Sequence, residues 1–285
     1  MNETESTLLT AEDYLRFPVL EPDYRYSYGQ DDQQFGELYL PASAPPHPVI
    51  VLIHGGGYRA MYDLKPMGSV ARALTEDDFA VWNIEYRRAG NGGDFPQMFL
   101  DVGAATDYLR RIADRHSLAL DSVLSIGHSA GGHLALWLAG RRKAPAACPL
   151  YAPASLPIAG VVALAPIADA RYAVAKALSS DALIQVMGGS PEDVPANYAA
   201  ASPSDLLPLE RPQALIVGTE DIAIMTNVKR YLAAAVSAGD KAQLIEAPRV
   251  GHFEIVSSAA PAFRMVREAI RDMRTTIKTK CDPWE

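Results

Sequence analysis

Ser129 lies in the run Gly127-His128-Ser129-Ala130-Gly131-Gly132, a G-x-S-x-G pattern between an apolar stretch at 123–126 and a helix-forming stretch at 133–139. A strand, a sharp turn and a helix in that order lift a serine hydroxyl to where it can attack a carbonyl carbon. Such a turn holds its serine in a strained backbone conformation costing about 1–3 kcal/mol. Gly127, Ala130, Gly131 and Gly132 leave room for the strand and helix to pass closely. A serine hydroxyl needs a base, and the base needs a group to orient it. His252, in Gly251-His252-Phe253, follows an apolar run at 242–246 and a short loop, from which an imidazole can fold back over the serine. Asp221, in Gly218-Thr219-Glu220-Asp221, ends the apolar run 214–217. A carboxylate there can fix the working tautomer of the histidine and stabilise its imidazolium. Glu220 points elsewhere on an extended backbone and reads as a solvated side chain.

A second glycine-rich segment, His54-Gly55-Gly56-Gly57-Tyr58, follows the apolar run 49–53. Bare peptide at a strand end can aim N–H groups at a developing negative charge, and removing one such donor typically costs about 10²–10³ in rate. The expected oxyanion hole comprises the N–H groups of Gly56, Gly57 and Ala130, with His54 ordering the loop rather than acting as a base. No G-K-[ST] or helix-opening G-x-G-x-x-G accompanies these glycines, so a phosphate loop is not indicated. The chain order Ser129, Asp221, His252 differs from the orders of the chymotrypsin and subtilisin folds.

These motifs resemble those of α/β-hydrolases, in the group that holds kynurenine formamidase-like enzymes and hormone-sensitive-lipase-like carboxylesterases. The resemblance spans residues 24–274 and rests on Phe35-Gly-Glu-Leu-Tyr-Leu-Pro41, HGGGY at 54–58, Glu85-Tyr86-Arg87, Phe95-Pro96, GHSAGG at 127–132, Ser202-Pro203, GTED at 218–221 and GHF at 251–253. Kynurenine formamidases often carry a tryptophan after the glycines, where this chain has Tyr58. The resemblance implies a serine hydrolase that cleaves small or aromatic carboxylic esters through an acyl-enzyme, with arylformamide hydrolysis as the alternative. The same fold also serves non-catalytic binding proteins, which lose a triad member or an oxyanion glycine; each of those positions is filled here. Tyr58, Met61, Phe95, Met98, Met225 and Phe253 neighbour the motifs and are candidates for the acyl pocket, Tyr58 and Phe253 foremost.

The elements that must position these residues are read from continuous apolar runs, which suit strands covered on both faces. Strands are expected near 24–28, 36–40, 48–53, 80–85, 122–127, 160–165, 213–218 and 242–247. Helices are expected near 66–76, 97–115, 130–142, 172–187, 226–238 and 258–274. The alternation predicts one α/β domain over 1–285 with a mainly parallel eight-stranded sheet, helices on both faces and a small cap. Residues 1–23 are expected to form a tail or cap segment, 166–212 a flap-containing crossover, and 275–285 a flexible tail.

At 285 residues and 49% hydrophobic, the chain can bury a sizeable core. A formal net charge of −8 argues against a nucleic-acid footprint. Two cysteines far apart, Cys148 and Cys281, argue against a disulfide framework and fit a reducing cytoplasm. The opening residues lack a basic and apolar leader, and no apolar run nears the ~20 residues of a membrane span. The expectation is a cytoplasmic enzyme for a small-molecule ester or amide, without cofactor or metal, and a possible homodimer.

Overall fold

The computed structural model describes residues 8–178 and 180–281. Its centre is an eight-stranded sheet: β1 (Tyr24–Ser27), β2 (Phe35–Tyr39), β3 (His47–Ile53), β4 (Ala80–Ile84), β5 (Leu118–His128), β6 (Gly160–Leu164), β7 (Gln213–Gly218) and β8 (Ala242–Ala247). The spatial order is β1-β2-β4-β3-β5-β6-β7-β8. β2 is antiparallel to β1 and β4, and the remaining neighbours are parallel. β3, β4, β6 and β7 are buried at nearly every position, as strands covered on both faces require. This is the α/β-hydrolase fold.

The helices divide between the two faces. Val51 is in register with both Trp82 and Ser125, so the three side chains share one face. On that face Trp82 Nε1–H donates to Ala105 O in α3 (Gln97–His116). Ser125 Oγ–H donates to Ala135 O in α4 (Ala130–Gly140). Gly160 pairs with Leu124 and so faces the other way. A Cβ on Gly160 would meet Met273 and Ile277 of α9 (Phe263–Cys281). α9 lies beside α2 (Gly68–Thr75), whose end it grips through Arg267 on Asp77 at 2.7 Å.

Three expectations on elements change. The helix expected at 172–187 is two, α5 (Ala170–Ala175) and α6 (Ser180–Met187), with Ala177 left-handed at φ 57° between them. Two unforeseen short helices appear, α1 (Ala11–Leu15) and α7 (Pro195–Ala201). The expected flexible tail is helical from 275 to 281, because α9 runs to Cys281; residues 282–285 lie outside the described residues. The remaining helix, α8 (Ile222–Ser237), packs on β7 and β8.

Candidate active site

β5 is the central strand, and its last residue, His128, pairs with Leu164 of β6, while Gly127 pairs with Ile53 of β3. The chain leaves β5 at Ser129, which takes φ 55° and ψ −116° before α4 begins. Glycine is required on both sides of this turn by close approach. A Cβ on Gly127 would fall on the Gly131 carbonyl, and one on Gly131 would fall on the carbonyl oxygens of Ile53 and His54. Ser129 N–H donates to Leu164 O at 2.8 Å, and Ser129 O accepts from His133 N–H at 3.1 Å. The strain at Ser129 is therefore held by bonds to β6 and α4. The first N–H groups of α4, Ala130 included, have no partner within the helix.

The loop after β3 lies against this turn. A Cβ on Gly55 would come 2.8 Å from His128 O and 3.2 Å from Ser129 Cβ. Gly56, Gly57 and Tyr58 all have positive φ (116°, 57° and 63°), which folds the loop back with its backbone toward the serine. The loop is anchored from beneath by a buried polar cluster. His54 Nδ1–H donates to Gly55 O at 2.7 Å, and its Nε2 accepts from Arg88 at 3.1 Å. Glu85 pairs with Arg88, lies 3.0 Å from His54 Nε2, and accepts from the Leu64 and Tyr86 N–H groups. Burial and then the Arg88 guanidinium hold His54 down to about 3, so its imidazole is neutral and orders the loop.

Asp221 stands at the N-cap position of α8, in the turn after β7, and its carboxylate accepts from His252 Nδ1–H at 2.5 Å rather than from the helix. That bond fixes the proton on Nδ1 and leaves the Nε2 lone pair free. His252 and Ser129 line one pocket of about 230 Å³ with Ala11, Tyr14, Gly56, Gly57, Arg59, Tyr62, His128 and Phe253. No hydrogen bond joins Ser129 Oγ to His252 among the described residues; such bonds commonly tighten only around substrate. Glu220 is exposed and takes a bond from Thr219 instead. A larger cavity of about 450 Å³ lies at the other end of the sheet, by the starts of β7 and β8. There the Asp240 carboxylate is already taken up by Leu209, Glu210 and Gln213, and among the described residues no nucleophile lining it is paired with a base.

Two sequence expectations about the pocket wall are corrected. Tyr58 is 1% exposed and does not line it: its left-handed backbone turns the ring into the core, where its O–H donates to His133 Nδ1 at 2.9 Å. Met61, Phe95, Met98 and Met225 are also absent from the lining, which leaves Phe253 of the six candidates. The wall is closed not by the 166–212 crossover but by α1, whose Tyr14 ring packs 5.5 Å from Phe253 and 6.1 Å from His128.

Sequence reasoning passed over three positioning residues. His128 Nε2–H donates to His252 O at 2.9 Å, with the two rings 4.6 Å apart. Glu254 accepts from Gly251 N–H at 3.0 Å and from Leu9 N–H at 2.6 Å, tying the histidine loop to the start of α1. Tyr14 is delivered by α1, whose capping box, Thr10 with Asp13, was a readable signal.

A family model described as BD-FAE matches residues 37–236, well over half of the sequence, and the chain belongs to that family. No curated protein matches the chain in sequence. Among solved structures, esterase B from Lactobacillus Rhamnosis (HN001) aligns with a TM-score of 0.77 and 22% identity, over 92% of this chain and 89% of that one. A bacterial heroin esterase aligns with a TM-score of 0.72 and 24% identity, over 89% of this chain and 84% of that one. A truncated carbohydrate esterase from gut microbiota gives 0.72 and 20%, over 89% and 97%. At these identities the likeness is one of fold. Among the described residues no helix is long and apolar enough to cross a membrane.

Proposed function

We propose that this BD-FAE family member is a carboxylesterase-type serine hydrolase acting on small esters, with Ser129, His252 and Asp221 as its catalytic residues. The observation that carries the reading is the 2.5 Å bond from His252 to Asp221 beside a strained serine in the same pocket. His252 Nε2 takes the hydroxyl proton as Ser129 Oγ attacks the ester carbonyl. The oxyanion that forms is held by the N–H groups of Gly56, Gly57 and Ala130. As the tetrahedral intermediate collapses, the bond to the alcohol breaks and the imidazolium returns its proton to the leaving oxygen. Water, deprotonated by the same imidazole, then attacks the acyl-enzyme and releases the acid and Ser129. The machinery consists of side chains and backbone alone. Two cysteines in 285 residues suit a reducing, cytoplasmic setting.

A fluorophosphonate probe tests the reading. Wild type is expected to be labelled at Ser129 and to turn over p-nitrophenyl acetate, while Ser129→Ala does neither at an unchanged melting temperature. Asp221→Asn is expected to cut kcat by orders of magnitude, and Glu220→Gln to do little. Unlabelled, folded wild-type protein would overturn the proposal. N-formylkynurenine assayed alongside short esters measures the amide alternative; a preference of about tenfold, roughly 1.4 kcal/mol at the transition state, reassigns the enzyme to arylformamides.

A further inference from the structure

Among the described residues the pocket holds one permanently charged side chain, Arg59, and none of them gives it a counter-ion. Among the described residues its guanidinium takes part in no ion pair, side-chain hydrogen bond or ring contact, although Arg16, Arg72, Arg87, Arg88, Arg141, Arg171 and Arg267 each have a carboxylate partner. The nearest acid in sequence, Asp63, is engaged by Lys65 at 2.9 Å. Arg59 is nonetheless firmly mounted. Its own N–H donates to Gly56 O at 3.0 Å, and the residues on either side bond to Ala89, Ala60 N–H to Ala89 O and Ala89 N–H to Tyr58 O, both at 2.9 Å. Tyr58 is locked into the core on one side of this backbone, and Arg59 is delivered to the pocket on the other. Tyr14, 1% exposed, lines the same space, and its buried hydroxyl has no hydrogen-bond partner among the described residues. No carboxylate among the described residues lines the pocket. In a chain with a net charge of −8, this wall offers donors and positive charge.

Resting on the serine-hydrolase reading, we propose that Arg59 is a substrate-recognition residue and that the preferred substrates are esters carrying a carboxylate, held by the guanidinium while the ester carbonyl sits against Gly56 and Gly57. A guanidinium binds a carboxylate through paired N–H donors, which a neutral group of the same shape cannot match.

The test uses matched esters. Monoethyl esters of succinate, glutarate and adipate carry the charge on the acyl side; O-acetyl glycolate and O-acetyl lactate carry it on the leaving side. Each is paired with its carboxamide analogue, and kcat/KM is measured on wild type, Arg59→Gln and Arg59→Lys. Wild type is expected to favour the anionic member of at least one series by about tenfold or more. That ratio falls toward one in Arg59→Gln through a raised KM, is partly kept in Arg59→Lys, and weakens as salt is raised. A wild-type ratio near one in both series, with Ser129 labelled by fluorophosphonate and the carboxamides cleaved, overturns this proposal and leaves the hydrolase reading standing. A ratio unaltered in Arg59→Gln also overturns it. Wild type that cleaves nothing and is not labelled overturns both.

Discussion

His128 donates from Nε2 to the main-chain carbonyl of His252 at 2.9 Å, so the residue just before the nucleophile holds the backbone of the residue that would deprotonate it. The bond crosses 124 residues of sequence and fixes the imidazole from its own peptide, while Asp221 fixes it from the ring. Burial, and then His252 itself, keep His128 well below the usual histidine range, so it is a neutral donor. His128→Phe keeps a ring in place and removes the donor. It is expected to lower kcat by about 10–100-fold with KM little changed, since misplacement by about 1 Å can cost about 10²-fold. An unchanged kcat in steady-state assays would count against the positioning role.

Glu254 is the second brace. One carboxylate oxygen takes the Gly251 N–H and the other takes the Leu9 N–H, so one side chain joins the histidine loop to the segment that carries Tyr14. Glu254→Ala strands both donors and is expected to cost about 1–3 kcal/mol. In hydrogen exchange, protection should fall first in residues 9–15 while the central strands stay protected. Equal loss across the sheet would mean that Glu254 supports the whole fold and not this junction.

The elbow tolerates no added carbon on its inner side. Gly131→Ala places a methyl group on the carbonyl oxygens of Ile53 and His54, both backbone atoms of a buried strand end that cannot rotate away. The expected cost is about 2–3 kcal/mol or more by urea unfolding, with activity lost along with it. A variant of native stability would show that α4 can shift outward.

Stability should fall with acid. His54 is held down to about 3 by burial and Arg88, and His133 to about 4 by burial. Their unfolded values lie near 6.5, so the unfolded chain takes up protons that the folded chain refuses. Both contributions are complete above about pH 6.5 and are lost as pH falls toward the folded values, by about 1.4 kcal/mol per pH unit for each histidine. His133 accepts from Tyr58 O–H and donates to Ala201 O, which the amide of His133→Gln can imitate. In that variant the uptake on unfolding near pH 5 should drop by about one proton; an unchanged slope would show that another group carries it.

The strands were legible because most of the parallel ones carry a short apolar run, and all eight lie within a few residues of where those runs place them. β5 starts earlier than its run, because it begins with Leu118-Ala-Leu-Asp121, ahead of the apolar stretch at 123–126. Ser129, Asp221 and His252 stand out in the sequence because each follows such a run, and the structure gathers them at one edge of the sheet. The pocket wall was not legible. Tyr58 adjoins Gly57, yet three successive left-handed residues rotate its side chain into the core and put Arg59 in its place, and adjacency in sequence carries no sign of that rotation. The break after α5 was hidden because Ala177 adopts φ 57° with neither glycine nor proline to mark it. α1 is five residues long and lacks the length from which helical periodicity is read.

Tyr14 and Leu9 leave the ribosome long before the surfaces that receive them. The bond from Leu9 to Glu254 spans 245 positions, which at about 5–20 residues per second is a wait of roughly 12–50 s. A five-residue helix does not persist alone, so during that interval Tyr14, Leu15 and Phe17 travel as an apolar segment without the surface that later covers it. The pocket is then walled only once Phe253 and Glu254 have emerged and the first described turn of the chain docks onto them.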